Sequence, residues 1–175
     1  MKIFYINILE FEKTYGKDYL KPYADKEFKS EKRFWEYTIG RYLVKNIAEK
    51  YFGVKNSEII TESSGKPIFK NSDLHFSISH SKNIVIACFD KNPCGIDIEQ
   101  IKPRNLEKLS KHFNRQFCSL EDFYKFWTHK EAKYKINNKE TNFYFTKFKN
   151  EYYITVTGES IGNNTDASVP ILHFG

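Results

Sequence analysis

Cys94-Gly95-Ile96-Asp97-Ile98-Glu99-Gln100-Ile101 reads as a strand of two unlike faces. Ile96 and Ile98 project to one side and Asp97 and Glu99 to the other, because successive side chains of a strand alternate. The preceding Asp90-Lys91-Asn92-Pro93 is a turn cluster, and it marks a boundary between an N-terminal lobe, 1–91, and a C-terminal lobe, 92–175. Upstream, residues 74–79 and 83–89 predict two strands flanking His80-Ser81, and Ser64-Gly65-Lys66-Pro67 predicts a turn. A long helix is expected over 26–52, where Phe34, Tyr37, Thr38, Arg41, Tyr42, Lys45 and Ala48 recur at intervals of three and four, with Gly53 as its stop. Residues 2–9 suit a first strand. Downstream, Ser119-x-x-Asp122 opens a second helix running to about Ile136. Residues 143–148 and 152–156 predict a hairpin, 159–168 a loop, and the region of Ile171 a last short strand. Hairpins and two substantial helices, without regular βαβ alternation, give an α+β fold.

The bulk composition narrows the class of protein. Aromatic residues make up 17% of the 175 residues and charged residues 29%, enough for a core beneath a solvated surface. Lys and Arg number 28 against 22 Asp and Glu, a formal charge of +6, which draws polyanions without saying which. Cys88, Cys94 and Cys118 form no CxxC pair and no zinc spacing, so reduced, buried thiols are expected. The N-terminus lacks a signal-peptide pattern and the longest apolar run, 84–89, is too short for a bilayer, so a cytoplasmic protein with no membrane contact is expected.

Three constellations bear chemistry. Asp97 and Glu99 are same-face neighbours that repel unless something positive binds between them, and an oxygen-ligand pair of this kind suits Mg²⁺. Alone, a half-buried edge strand with a solvated acidic face explains them as well. In Trp127-Thr128-His129-Lys130-Glu131-Ala132-Lys133-Tyr134-Lys135, the residues Trp127, Glu131 and Lys135 share one helix face with Leu120, Phe123 and Tyr124. A carboxylate on an apolar stripe needs a partner. Either Lys135 supplies it in a simple i,i+4 pair, or Glu131 shares a metal with Asp97 and Glu99. Phe76-Ser77-Ile78-Ser79-His80-Ser81 places a hydroxyl and an imidazole at a strand end, a corner fit for a phosphate or simply for a hydrogen-bonded histidine. A hydrolase elbow, Gly-x-Ser-x-Gly, is absent.

In order and spacing, Gly65-Lys66-Pro67, Phe76 to Ser81, Gly95 to Glu99 and Trp127 to Lys135 resemble the larger, single-chain class of the 4′-phosphopantetheinyl transferase superfamily. The resemblance covers residues 26–135. It implies two similar α+β halves related by a pseudo-twofold axis, the C-terminal one shortened, with coenzyme A in the cleft between them. It implies Mg²⁺ on Asp97, Glu99 and Glu131, and a pyrophosphate facing Lys130 and Lys135. Ser79, His80 and Lys66 match positions near the nucleotide and its 3′-phosphate, as do Arg41 on the first long helix and Lys26-x-x-Lys29. The implied reaction moves phosphopantetheine from coenzyme A to a serine of an apo carrier protein and releases 3′,5′-ADP, with Glu131, or water bound to the metal, as base and Lys135 as a second catalytic group. A site within one chain implies a monomer.

Two features depart from the family pattern. Ile136-Asn137-Asn138-Lys139 stands where a glycine-containing loop is usual, and the part after Lys135 is short. Both bear on carrier-protein docking. Two rival classes follow from the same residues. A non-catalytic coenzyme A- or nucleotide-binding protein would be marked by a lost metal ligand, yet all three acids are present. A nucleic-acid-binding module has the basic charge but no recognised motif, so no nucleic-acid partner is expected.

Overall fold

The computed structural model describes residues 1–63, 65–162 and 170–174. Among these, nine strands and four α-helices follow one another as β1 (Lys2–Asn7), α1 (Ile8–Tyr15), a 3-10 helix (Asp18–Tyr23), α2 (Glu31–Phe52), β2 (Ile59–Thr61), β3 (Pro67–Phe69), β4 (His75–Ser81), β5 (Ile84–Asp90), β6 (Cys94–Gln100), α3 (Leu106–Phe113), α4 (Leu120–Tyr134), β7 (Phe143–Phe148), β8 (Tyr152–Gly158) and β9 (Ile171–His173). The expected α+β class holds. A four-stranded sheet has the order β4-β5-β1-β9, a three-stranded antiparallel sheet the order β6-β8-β7, and β2 and β3 form a small hairpin.

The two larger sheets pack face to face. Ile84, Ile86 and Cys88 of β5 and Ile3 of β1 meet Cys94, Ile96, Ile98, Ile154 and Val156 from β6 and β8 in one core. The opposite face of the first sheet, with Phe4, Ile6, Val85, Ala87 and Phe89, is covered by Ile39, Leu43 and Ile47 of α2. The outer face of the second is covered by α4, where Phe123 and Tyr124 pack on Tyr153. Every residue of β5 is buried, as a strand needs when both its faces are covered. Each large buried side chain contributes about 1.5–3 kcal/mol relative to exposure, so these layers hold the fold.

Local chemistry sets the element ends. The Ser30 hydroxyl accepts from Arg33 N–H and caps α2, so the helix begins at Glu31 rather than Lys26. Gly53 ends it in the left-handed region, φ 69°, which glycine adopts without strain. Ser119 caps α4 through Asp122 N–H. The first strand stops at Asn7, whose side chain accepts from Leu9 N–H and starts α1 within the expected strand. Cys88 and Cys94 are buried as expected, but Cys118 is exposed because it lies in the loop entering α4. Ser64 and most of the expected 159–168 loop, from 163 on, lie outside the described residues. Among the described residues no helix is long and apolar enough to cross a membrane.

The sheets also meet along an edge. The Oγ atoms of Ser77, Ser79 and Ser81 accept from the N–H groups of Ile96, Ile98 and Gln100 at 3.2, 3.3 and 2.9 Å. The register advances by two on both strands, so β4 and β6 lie alongside in parallel, joined by hydroxyls. Backbone donors of an edge strand otherwise lack partners. On its other face β4 turns Phe76 into the core and Ile78 toward Gly40 of α2.

Candidate functional site

The acidic strand and the α4 motif come together through one close approach. A Cβ added at Gly95 would lie 2.1 Å from the carbonyl oxygen of Ala132, so α4 rests against the β6 backbone where there is no side chain. The helix then presents Thr128, whose hydroxyl lies 2.6 Å from that of Thr155 on β8. Trp127 Nε1 donates to Glu99 at 3.1 Å. Lys135 Nζ donates to the Ile96 carbonyl at 2.7 Å and to Asp97 Oδ1 at 3.0 Å. Lys135 therefore answers Asp97, across the strand, in place of the simple helical pair with Glu131.

Asp97 is 6% exposed. Its Oδ1 also accepts from Ser79 Oγ at 2.8 Å, while its buried Oδ2 has no hydrogen-bond partner. Burial raises the pKa of Glu99; the Trp127 hydrogen bond works against that rise and the neighbouring Asp97 charge adds to it. An orphaned carboxylate oxygen beside a second, half-buried carboxylate fits a small hard cation. Glu131 is half-buried and turns to a cavity it lines with Lys66, Ser77, Tyr134 and Lys135. Among the described residues no three His, Cys, Asp or Glu side chains are gathered closely enough to hold a metal, so Glu131 is not drawn into one group with Asp97 and Glu99 here.

That cavity, about 510 Å³, shares Gly65, Pro67 and Ile78 with a second of about 590 Å³. The two form adjoining parts of one cleft between the β2–β3 hairpin, α2 and α4. Lys26, Lys29, Arg41 and His80 line the larger part. Tyr37 lines it too, with Lys26 Nζ 4.1 Å and the Arg41 guanidinium 4.8 Å from its ring centroid. The Tyr37 hydroxyl donates to Asp25 at 2.6 Å, and Arg41 pairs with the same carboxylate at 3.4 Å. Arg41 Nε is buried without a partner and so has a donor to offer a ligand.

Other expected residues sit differently. The Ser79 hydroxyl is engaged with β6 and lines neither cavity. Lys130 is exposed over the rings of Phe113 and Trp127, at 5.2 and 5.7 Å from their centroids, and also lines neither. Sequence reasoning passed over Glu36. It is 4% exposed, lines the larger cavity and lies 3.4 Å from His80 Nδ1, with Lys32 and Arg33 at 3.4 and 3.5 Å. Its signal was an acid within the buried run of α2, spaced with Lys32 and Arg33 one turn before.

No family model matches the chain. It is 28% identical over 171 residues to the 4′-phosphopantetheinyl transferase psf-1 of Bacillus pumilus, a match covering 85% of this chain and 73% of that protein. It is 34% identical over 114 residues to the 4′-phosphopantetheinyl transferase Sfp of Bacillus subtilis, covering 58% of this chain and 51% of the relative. To the 4′-phosphopantetheinyl transferase gsp of Aneurinibacillus migulanus it is 28% identical over 113 residues, covering 58% and 47%. The chain thus spans about half the length of Sfp and gsp and more of psf-1.

Proposed function

We propose that the chain, which is similar to the 4′-phosphopantetheinyl transferases psf-1 and Sfp, is a member of that superfamily and transfers the phosphopantetheine arm of coenzyme A to a serine hydroxyl of an apo carrier protein. The observation that carries the reading is the pair of links joining the acidic strand to α4, Trp127 to Glu99 and Lys135 to Asp97, beside a cleft edged by lysine and arginine. Coenzyme A lies along the cleft, its nucleotide by Arg41 and Tyr37 and its pyrophosphate toward Lys66 and Lys135. The serine oxygen bonds to the pantetheine-side phosphorus, the bond to the bridging oxygen breaks, and 3′,5′-ADP leaves. Glu131, turned to the cavity, accepts the serine proton. Lys135 steadies charge on the phosphoryl oxygens.

Asp97 and Glu99 would hold Mg²⁺, and Glu131, which stands apart from them in this structure, would have to move to join them; when bound, the ion supplies Lewis-acid neutralisation of phosphate charge. The arrangement as two similar halves about a pseudo-twofold axis, divided near residue 91, belongs to this reading, as do a monomeric state and a cytoplasmic location. The basic surface would quicken encounter with an acidic carrier protein.

Incubation with coenzyme A, Mg²⁺ and apo carrier proteins, followed by mass spectrometry, tests the proposal. A mass gain of one phosphopantetheine arm, abolished by EDTA and by Asp97→Ala, is expected. Unchanged mass across several carrier proteins would overturn it.

A further inference from the structure

Charge in the larger cavity is already partly cancelled from within. Arg41 is paired with Asp25, and His80 together with Lys32 and Arg33 is turned to the Glu36 carboxylate. Lys32 and Arg33 are mostly in solvent, at 73% and 70% exposed, although Arg33 also lines the cavity, whereas Glu36 is buried in its wall beside His80. Burial lowers the pKa of His80 and outweighs the opposing pull of Glu36, so the imidazole adds little positive charge near neutral pH. A phosphate monoester placed against His80 would meet a buried carboxylate of like sign. A hydroxyl placed there would meet an acceptor. The same choice separates the two dinucleotide classes, where an acid receives a ribose hydroxyl and an arginine receives a ribose phosphate.

We propose that Glu36 determines nucleotide preference by accepting a hydrogen bond from a ribose hydroxyl, so that the protein takes coenzyme A lacking its 3′-phosphate about as readily as coenzyme A. This rests on the coenzyme A reading of the cleft. Lys66 and Lys135 still attract the pyrophosphate, and Lys26 and Lys29 still line the nucleotide end, so removal of one phosphate does not empty the site. Discrimination then arises from the repulsive element at the wall rather than from total charge.

Isothermal titration with coenzyme A and with 3′-dephospho-coenzyme A, each against the wild-type protein and Glu36→Gln, provides the test. Wild-type dissociation constants within about threefold of each other are expected, with the ratio moving about tenfold toward coenzyme A in the variant. A wild-type preference for coenzyme A of about tenfold or more, or a ratio that Glu36→Gln leaves unchanged, would overturn the role of Glu36 alone. Binding of neither compound by the wild type would remove the coenzyme A reading and this inference with it. Should the variant not fold, the wild-type ratio decides.

Discussion

Lys135 is the residue on which most of the site's geometry turns. It supplies the counter-charge of Asp97 and a tether to the β6 backbone through the Ile96 carbonyl. Replacement by alanine would leave a buried carboxylate unpaired and remove a cation from the cleft. Turnover is expected to fall about a hundredfold or more, measured as the rate of carrier-protein mass gain. Glu99 makes a prediction of opposite sense for stability. Its folded pKa is raised, chiefly by burial, so the folded state holds its proton more tightly than the unfolded chain does. Metal-free protein therefore loses stability as pH rises from the ordinary glutamate value through the raised one, and bears the full penalty above it. Glu99→Gln should melt higher than wild type in EDTA at pH 7, and the gap should shrink toward pH 4. A gap that stays constant would count against the raised pKa. That Asp97 and Glu99 share one strand face and Lys135 the Glu131 face of the helix was legible from spacing, but the partner of Lys135 was not. Helical periodicity offered Glu131, one turn away, while the true partner comes from a strand whose distance from the helix depends on Gly95.

Among elements, the contact of α4 with β6 has the least tolerance. Gly95→Ala drives a methyl into the Ala132 carbonyl, and since backbone must move, a loss of about 3 kcal/mol is expected in urea unfolding. Ser79→Ala leaves the Ile98 N–H and one bond to Asp97 unanswered, for about 1–2 kcal/mol. The longer strands and the two long helices could be read in advance because each obeys one period, but β2 and β3, of three residues each, were too short to show one, and the Ser30 start of α2 was missed. The short helices could not. In α1 the apolar run of β1 continues through Ile8 and Leu9, and only the Asn7 side chain turns strand into helix. In α3, Leu106, Leu109 and Phe113 have helical spacing and Asn105 caps them, yet charged neighbours dilute the signal. Glu36 was hidden for a related reason, since its spacing with Lys32 and Arg33 reads equally well as an exposed ion pair until β4 brings His80 to it.

On the scale of the molecule, a helix, two sheets and a further helix are layered, and the cleft opens where α2, the β2–β3 hairpin and α4 approach. Layering of this kind was implicit in the unlike faces of β6, with isoleucines inward and acids outward. That the edges of two sheets would be sewn by serines was not, although Ser77, Ser79 and Ser81 stand in plain alternation, because side chains are not the usual answer to a strand's amides. This join has a kinetic signature. Amides along a strand point alternately to its two neighbours, so within β6 the N–H groups of Ile96, Ile98 and Gln100 face hydroxyls while those between them face β8. A hydroxyl can rotate away without any sheet separating. Deuterium should therefore enter β6 with a beat of two, fast at 96, 98 and 100 and slow at 97 and 99, a rhythm that NMR can follow residue by residue.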